Sequence, residues 1–325
     1  AGLGRLLIGG SVAVAFVGLL KLASSWFPKK LYAFVAGNAL SIGLIGAITA
    51  GPPLRFLMDI FSWRGVISVT GGLTLILGGA VWLVVRDRPE EKGYKGFVPG
   101  ITRQESLSLK TIGQGFACVG RYRNTWLLFV IPGGIVGCIL TFSGLWGVPY
   151  LVSCHNLSPA KAAALTSILL VGWALGAPFF GWLSDRMGKR KPLYIAGSLG
   201  LTVGWMLILF LQELSFFHLA MIFFATGFLS GCMIISFAFV TESVPLSLSG
   251  TVSGLTNMGV MMGPMILQPV VGKILDINFS GRIVDGVRFY SVGDYEYGFI
   301  PLIGWLCLSV VLLFFTKETN CRQMT

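Results

Sequence analysis

The sequence predicts an all-α membrane protein, a bundle of about nine helices that cross the bilayer. Hydrophobic residues make up 54% of the 325 residues, charged residues only 11%, and the mean hydropathy is +0.81. Soluble domains are about 25% charged, so a soluble core could not bury this much apolar surface. The basic residues also concentrate in turns that lie on one side of the membrane if successive helices alternate in direction.

Nine stretches of the chain are long and apolar enough to span a bilayer, which takes about 20 residues in a helix. In chain order they are residues 3–24, 31–54, 65–85, 126–150, 160–183, 192–212, 216–240, 249–272 and 297–316. The segment between the third and fourth spans is polar, mixed in charge and rich in glycine and proline. This segment therefore reads as a linker between two groups of helices.

The turn at residues 181–191 sets the orientation of these spans. Its charged residues are Asp185, Arg186, Lys189, Arg190 and Lys191. Such side chains are costly in the bilayer core, so the turn lies at a membrane surface. If that surface is cytoplasmic, 17 of the 24 lysines and arginines are cytoplasmic and six are outside, with Arg5 inside the membrane. This asymmetry follows the positive-inside rule. The net charge of +11 is then an insertion signal and gives little support to a nucleic-acid partner.

The pattern of this turn is glycine–x–leucine–small–Asp–Arg–x–Gly followed by three basic residues. It resembles the signature loop of the major facilitator superfamily of secondary transporters, which joins the second and third helices of each half. Here it would join helices eight and nine. The resemblance covers nearly the whole chain and implies that solute binds near the midplane between two halves, whose rocking alternates access.

Superfamily members usually have twelve helices in two halves of six. Counting back from the signature loop makes the first span helix four, and the chain opens at Ala1 without an initiator Met. We therefore expect helices 4–12 of the usual twelve, with a native nine-span protein as the alternative. The predicted domains are residues 1–86 as the end of the first half, 87–124 as a cytoplasmic linker, and 125–325 as the second half.

Within the linker, apolar residues recur at helical spacing: Leu109, Ile112, Phe116 and Val119. This pattern predicts an amphipathic helix that lies at the membrane surface.

Arg5 is the strongest candidate for a residue that binds substrate or couples transport to a proton. The run from Gly4 to Gly10 resembles the arginine-to-glycine motif of helix four, whose arginine is linked to proton coupling in related exchangers. An arginine inside the membrane needs an anionic companion, so we predict that Arg5 faces the central cavity and favours an anionic or carboxylate-bearing solute. Snorkelling of its side chain to the interface is the alternative.

Five further residues are candidate substrate contacts. Trp146 and Tyr150 are four residues apart on one helix face, near glycines and a proline that let the helix bend. They line a gate over the cavity or belong to the aromatic belt at the membrane interface. Asn38, Asn257 and Gln268 are amides inside the membrane, where hydrocarbon supplies no partner, so they bind solute or bond across helices.

A cytoplasmic gate is the second predicted site. By the superfamily's internal symmetry, Asp185 should approach the start of span 31–54 near Leu31, where the helix dipole favours an anion. Glu242, at the cytoplasmic end of span 216–240, is the expected partner of one arginine. The full predicted gate is Gly181, Asp185, Arg186, Gly188, Lys189, Arg190 and Glu242.

Enzymatic and metal chemistry find little support in the sequence. The two histidines, His155 and His218, both fall in predicted outer loops, and the six cysteines lack the paired spacing of zinc or disulfide sites. A phosphate-binding glycine loop with its lysine is also missing, which argues against an ATP-driven pump. We therefore predict a protein that is not an enzyme and has no cofactor and no metal ligands.

The predicted function is secondary active transport of a small polar solute, anionic if Arg5 faces the cavity, by alternating access. We expect a monomer that performs uptake across a bacterial inner membrane, with a proton or other ion gradient as a candidate driving force. Its linker and C-terminus are predicted to be cytoplasmic. Three alternatives stay open: a proton-coupled drug or metabolite efflux antiporter, an organic or sugar-phosphate permease, and a non-transporting sensor with the same fold.

Overall fold

A computed structural model describes the chain apart from residues 1, 29–30, 50–56, 58–59, 95–108, 212–213, 285–286 and 324–325. The side chains of residues 2–6, 8–9, 11–14, 109–112, 282, 284 and 287 are likewise outside the description. The regular structure of the described residues is helical, with one short β-hairpin.

The helices, in chain order, are α1 (Gly2–Trp26), α2 (Tyr32–Thr49), α3 (Trp63–Val84), α4 (Leu109–Val119), α5 (Arg123–Thr141), α6 (Gly147–His155), α7 (Pro159–Met187), α8 (Lys191–Phe210), α9 (Phe216–Ser230), α10 (Ile235–Glu242), α11 (Ser249–Ile277) and α12 (Val292–Phe314). The hairpin pairs β1 (Arg282–Val284) with β2 (Val287–Phe289) in antiparallel register. A π turn (Phe142–Trp146) joins α5 to α6, and a 3₁₀ turn (Gly231–Ile234) joins α9 to α10.

Eight helices or continuous helix pairs in the described part of the chain are long and apolar enough to cross a membrane. They are α2, α3, α5 with α6, α7, α8, α9 with α10, α11 with its preceding 3₁₀ turn, and α12. The remaining predicted span, residues 3–24, is helical as α1. The prediction of an all-α polytopic bundle is confirmed.

Serine side chains begin four of the spanning helices by accepting a backbone N–H of the first turn. The caps are Ser62 on α3, Ser158 on α7, Ser215 on α9 and Ser291 on α12. At its other end, α7 stops at Gly188, whose φ of 64° is left-handed and favours glycine. The chain reverses there, which brings the basic end of the charged turn back towards α7.

Small residues let the helices of the C-terminal part pack backbone to backbone. A Cβ added at Gly133 of α5 would lie 2.7 Å from the carbonyl oxygen of Gly259 on α11. Gly172 of α7 is in equally direct contact with the backbone of α9. Lipid tails are as apolar as the side chains, so such close packing is a main source of association between helices in a membrane.

Candidate functional site

Helices α2 and α7 run antiparallel and touch through small residues at the end that carries the charged turn. A Cβ at Gly37 would lie 2.6 Å from the carbonyl oxygen of Ala177, and one at Gly181 would overlap the carbonyl of Ala33. A turn further along α2, the Ser41 hydroxyl donates to the carbonyl oxygen of Ala174. The two backbones therefore meet without space for a solute between them.

The exposed and the buried residues of α2 lie on different faces of the helix. Beyond Ser41, a Cβ at Gly43 or Gly46 would meet open space. Ile42 and Ile45 are 70% and 56% exposed. Leu44, three residues after Ser41 on the same face of α2, is only 7% exposed, so the buried face that includes Gly37 continues past Ser41.

A buried ionic network lies at the end of this contact that carries the charged turn. Arg190 Nη1 is 2.6 Å from Asp185 Oδ1, and Arg190 Nη2 is 2.6 Å from Glu242 Oε1. The side chain of Arg190 is fully buried, and those of both carboxylates nearly so. Burial by itself lowers the pKa of Arg190, but the hydrogen bond and charge of Glu242, and then the charge of Asp185, outweigh it and raise that pKa. Arg190 therefore stays charged at any physiological pH.

Asp185 connects this network to α2. Its Oδ2 accepts a hydrogen bond of 3.1 Å from the backbone N–H of Phe34, the third residue of α2. First-turn N–H groups have no partner within a helix and carry the positive end of the helix dipole. The sequence predicted this approach at Leu31, and the structure has it at Phe34. One carboxylate thus joins Arg190 to the start of α2.

The segment that follows α12 closes the network from the other side. The carboxylate of Glu318 accepts the backbone N–H groups of Arg190 and Lys191, at 3.0 Å and 2.8 Å, where α8 begins. The hydroxyl of Thr319 donates to Glu242 Oε2 at 2.6 Å. Sequence analysis missed Glu318 and Thr319, and the acidic residue just after the last span was the signal that could have indicated them.

The other predicted gate residues have different roles. Gly188 ends α7, and the carbonyl of Lys189 accepts from the Ser184 hydroxyl at 3.1 Å. Arg186 is exposed and lies over the ring of Trp182, 5.3 Å from its centroid, and it forms no ion pair with any described residue. In this conformation Arg186 therefore takes no part in the ion pairs of the network, and its role in the gate stays a prediction. Neighbouring residues on a helix point about 100° apart, so Arg186 faces away from Asp185.

Trp146 and Tyr150 contact different helices of the second half. The buried Tyr150 hydroxyl donates to the carbonyl oxygens of Ile208 and Leu209 on α8, at 3.0 Å and 3.3 Å. Trp146 Nε1 donates to the carbonyl of Gln268 on α11 at 3.1 Å. Each polar group is hydrogen-bonded to a neighbouring backbone, as buried polar groups usually are. The choice between a gate and the interface belt stays a prediction.

The three predicted amides also differ in their surroundings. Gln268 Nε2 donates to the carbonyl of Leu140 at 3.2 Å, a bond between helices, and Asn38 Nδ2 donates to Phe34 of its own helix at 2.9 Å. Asn257 is half-buried and has no hydrogen-bond partner among the described residues. The side chain of Arg5 lies outside the described part of the chain. Across that part, no cluster of His, Cys, Asp and Glu could hold a metal ion.

Comparison with known proteins gives consistent matches. The model of the Major Facilitator Superfamily matches residues 3–267 and 142–320. Monocarboxylate transporter 12 of Homo sapiens is 26% identical over 339 residues, which cover 98% of this chain and 62% of that protein. The probable galactarate/D-glucarate transporter GudP of Escherichia coli K12 is 24% identical, covering 86% of this chain and 66% of that protein.

The fold has solved counterparts as well. The E. coli fucose:proton symporter FucP superposes with a TM-score of 0.61 at 16% identity, covering 91% of this chain and 71% of that structure. At this identity the likeness concerns the fold. The chain spans less than two thirds of the length of the human relative.

Proposed function

Because the chain belongs to the Major Facilitator Superfamily, we propose that it transports a small carboxylate-bearing solute across a membrane by alternating access. It is a multi-pass membrane protein whose relatives are solute transporters. The observation that carries the proposal is the contact of α2 with α7, which Asp185 holds at the end of the charged turn.

Among the described residues, two hydrogen bonds join α2 to α7, and a reversible gate must be able to break them. To separate α2 from α7, the protein must break the bond from Phe34 to Asp185 and the bond from Ser41 to Ala174. A hydrogen bond to a charged group contributes about 1.5–3 kcal/mol. Shifting a two-state equilibrium from 1:99 to 99:1 takes about 5.5 kcal/mol. A solute whose affinities for the open and closed states differ by this amount would open or close this end.

The rest of the network gives α2 a fixed surface on which to close. Arg190, Glu242 and Glu318 all lie in the predicted second half and hold one another in place. Within the network, opening breaks the bond that Asp185 makes to α2 and leaves the ion pairs of Arg190 in place. We propose that this end is cytoplasmic, in agreement with the positive-inside count, and that residues 1–86 and 125–325 move as the two halves.

A carboxylate solute is supported by two independent points. The names of the human and E. coli K12 relatives refer to monocarboxylates and to galactarate and D-glucarate, while two other relatives are named as probable hexose phosphate transport proteins. Arg5, inside the first span, supplies the planar two-pronged donor that suits a carboxylate. A proton or other ion gradient directed inwards would drive uptake, and we propose a monomer in a bacterial inner membrane as the working unit.

Flux measurements with the complete protein in proteoliposomes test this proposal. We expect saturable uptake of a labelled monocarboxylate or sugar acid, and little uptake of the methyl ester or of a hexose phosphate. Arg5→Lys should weaken uptake and Arg5→Ala should nearly abolish it, whereas Lys21→Ala, which removes an exposed cation from the same helix, should leave it unchanged. Preferred uptake of the hexose phosphate would favour the phosphate permease, and no flux of any solute would favour a sensor.

A further inference from the structure

A cavity of about 500 Å³ opens beside the ionic network, where α5 begins and α12 ends. Its floor is rigid. Asn124 Nδ2 donates to the carbonyl of Lys317 at 2.8 Å, and Asn124 Oδ1 accepts the N–H of Lys317 at 2.9 Å. The same amide donates to the buried Ser243 hydroxyl at 2.7 Å. These bonds fix the backbone of Lys317 against the first turn of α5.

The cavity is lined by three cations and by no carboxylate. Arg121, Arg123 and Lys317 all contribute to its wall and are exposed at the surface. The ion pairs found among the described residues include none of the three. The nearby carboxylate of Glu318 is occupied by the backbone of α8. Three positive charges therefore converge on one space without a compensating anion from the described chain.

The start of α5 adds to this positive potential. Its N-cap residue, Tyr122, makes no side-chain capping bond, and both Tyr122 and Arg123 line the cavity. The first N–H groups of a helix favour a negatively charged oxygen, and a phosphate suits this position particularly well. The cavity thus combines three cationic side chains with an uncapped helix start.

The rim of the cavity is apolar. Phe314 and Phe315, at the end of the spanning helix α12, line it and are 58% and 54% exposed. These exposed rings place the cavity at the edge of the hydrocarbon region, within reach of the lipid headgroups. We propose that the cavity binds the phosphate of an anionic phospholipid headgroup, with inorganic phosphate as the competing source of the same chemistry.

Lipid titration of the purified complete protein in detergent, followed by native mass spectrometry, tests the site. The probes are phosphatidylglycerol, phosphatidylcholine with the same acyl chains, and inorganic phosphate. The variant combines Arg121→Gln, Arg123→Gln and Lys317→Gln. A matched control removes three exposed cations elsewhere through Arg64→Gln, Lys161→Gln and Lys273→Gln. Each cation near an anionic lipid contributes about 1 kcal/mol, which is about fivefold in affinity.

We expect wild type to prefer phosphatidylglycerol to phosphatidylcholine, and the cavity variant to lose on the order of 100-fold in affinity for phosphatidylglycerol. The control should stay within about twofold of wild type. Equal losses in both triple variants would overturn the proposal, as would unchanged binding by the cavity variant. Binding of inorganic phosphate without a preference for phosphatidylglycerol would overturn the lipid assignment. If the triple variant aggregates, the single variants Arg121→Gln and Lys317→Gln should each weaken phosphatidylglycerol binding about fivefold. Wild-type affinity in both single variants would refute the site.

Discussion

Asp185→Asn is the perturbation that bears most directly on the gate. The carboxylate accepts Arg190 Nη1 on one oxygen and the N–H of Phe34 on the other. An asparagine of the same shape has only one oxygen, so its amide N–H₂ must face one of these two donors. Arg190 is charged and buried and holds the remaining oxygen, so the bond to Phe34 is the one lost.

The size of the effect follows from that bond. Losing a hydrogen bond to a charged acceptor costs about 1.5–3 kcal/mol. Since 1.4 kcal/mol is a factor of ten, the closed arrangement of α2 and α7 should lose roughly 10- to 150-fold in population relative to the open one. Asp87→Asn is the matched control. Asp87 pairs with Lys21 at 3.4 Å, both side chains are exposed, and such pairs contribute about 0–1 kcal/mol.

Spin-label distances measure this shift. Cysteines at Leu31 and Met187, both exposed and next to the contact, would carry the labels on a background without native cysteines. Wild type and Asp87→Asn should give mainly the short distance, and Asp185→Asn a clearly larger share of the longer one. An unchanged distribution in Asp185→Asn, with the protein monodisperse, would refute the assignment of Asp185 to the contact.

Three further changes probe the same region. Arg190→Ala leaves two buried carboxylates without their cation, so it should lower the free energy of unfolding by about 3–5 kcal/mol. Arg186→Ala removes an exposed cation and should lower it by under about 1 kcal/mol. Equal losses in thermal unfolding would contradict the burial argument. Gly181→Ala places a methyl group against the carbonyl of Ala33, so it should force α2 away from α7 and lengthen the label distance, while Gly43→Ala, in open space, should not. A shift with both variants would count against a specific contact. Glu318→Gln removes the negative charge at the start of α8 and should lower the free energy of unfolding by about 0.3–1 kcal/mol. An unfolding midpoint at or above that of wild type would contradict the capping role of Glu318.

The sequence allowed the fold to be predicted because lipid imposes a simple rule. Each span must be long and apolar, so hydropathy located all nine segments without knowledge of their neighbours. The approach of Asp185 to the start of α2 was also predictable, from the charged turn and the resemblance that it carries. The spans follow from information that is local in the chain, whereas this approach joins residues 151 positions apart and followed from the resemblance.

Contacts between distant segments could not be predicted in the same way. Glu318 accepts a hydrogen bond from Arg190, which lies 128 positions away in the chain, and the sequence around Glu318 does not indicate this partner. For Tyr150, helical spacing gives the face on which it lies but not the helix that the face meets. Arg186 and Arg190 looked equivalent until Gly188 was seen to reverse the chain, which returns Arg190 to Asp185 and leaves Arg186 outside.

The central claim is that solute crosses only if α2 and α7 separate at the charged end. Cysteines at Leu31 and Met187, joined by a short thiol-cleavable bifunctional reagent, would hold that end closed in the complete protein. After reconstitution into proteoliposomes, cross-linking should stop carboxylate flux and reduction should restore it, while either single-cysteine variant should be unaffected. Flux that continues at the wild-type rate with the cross-link intact would contradict the account.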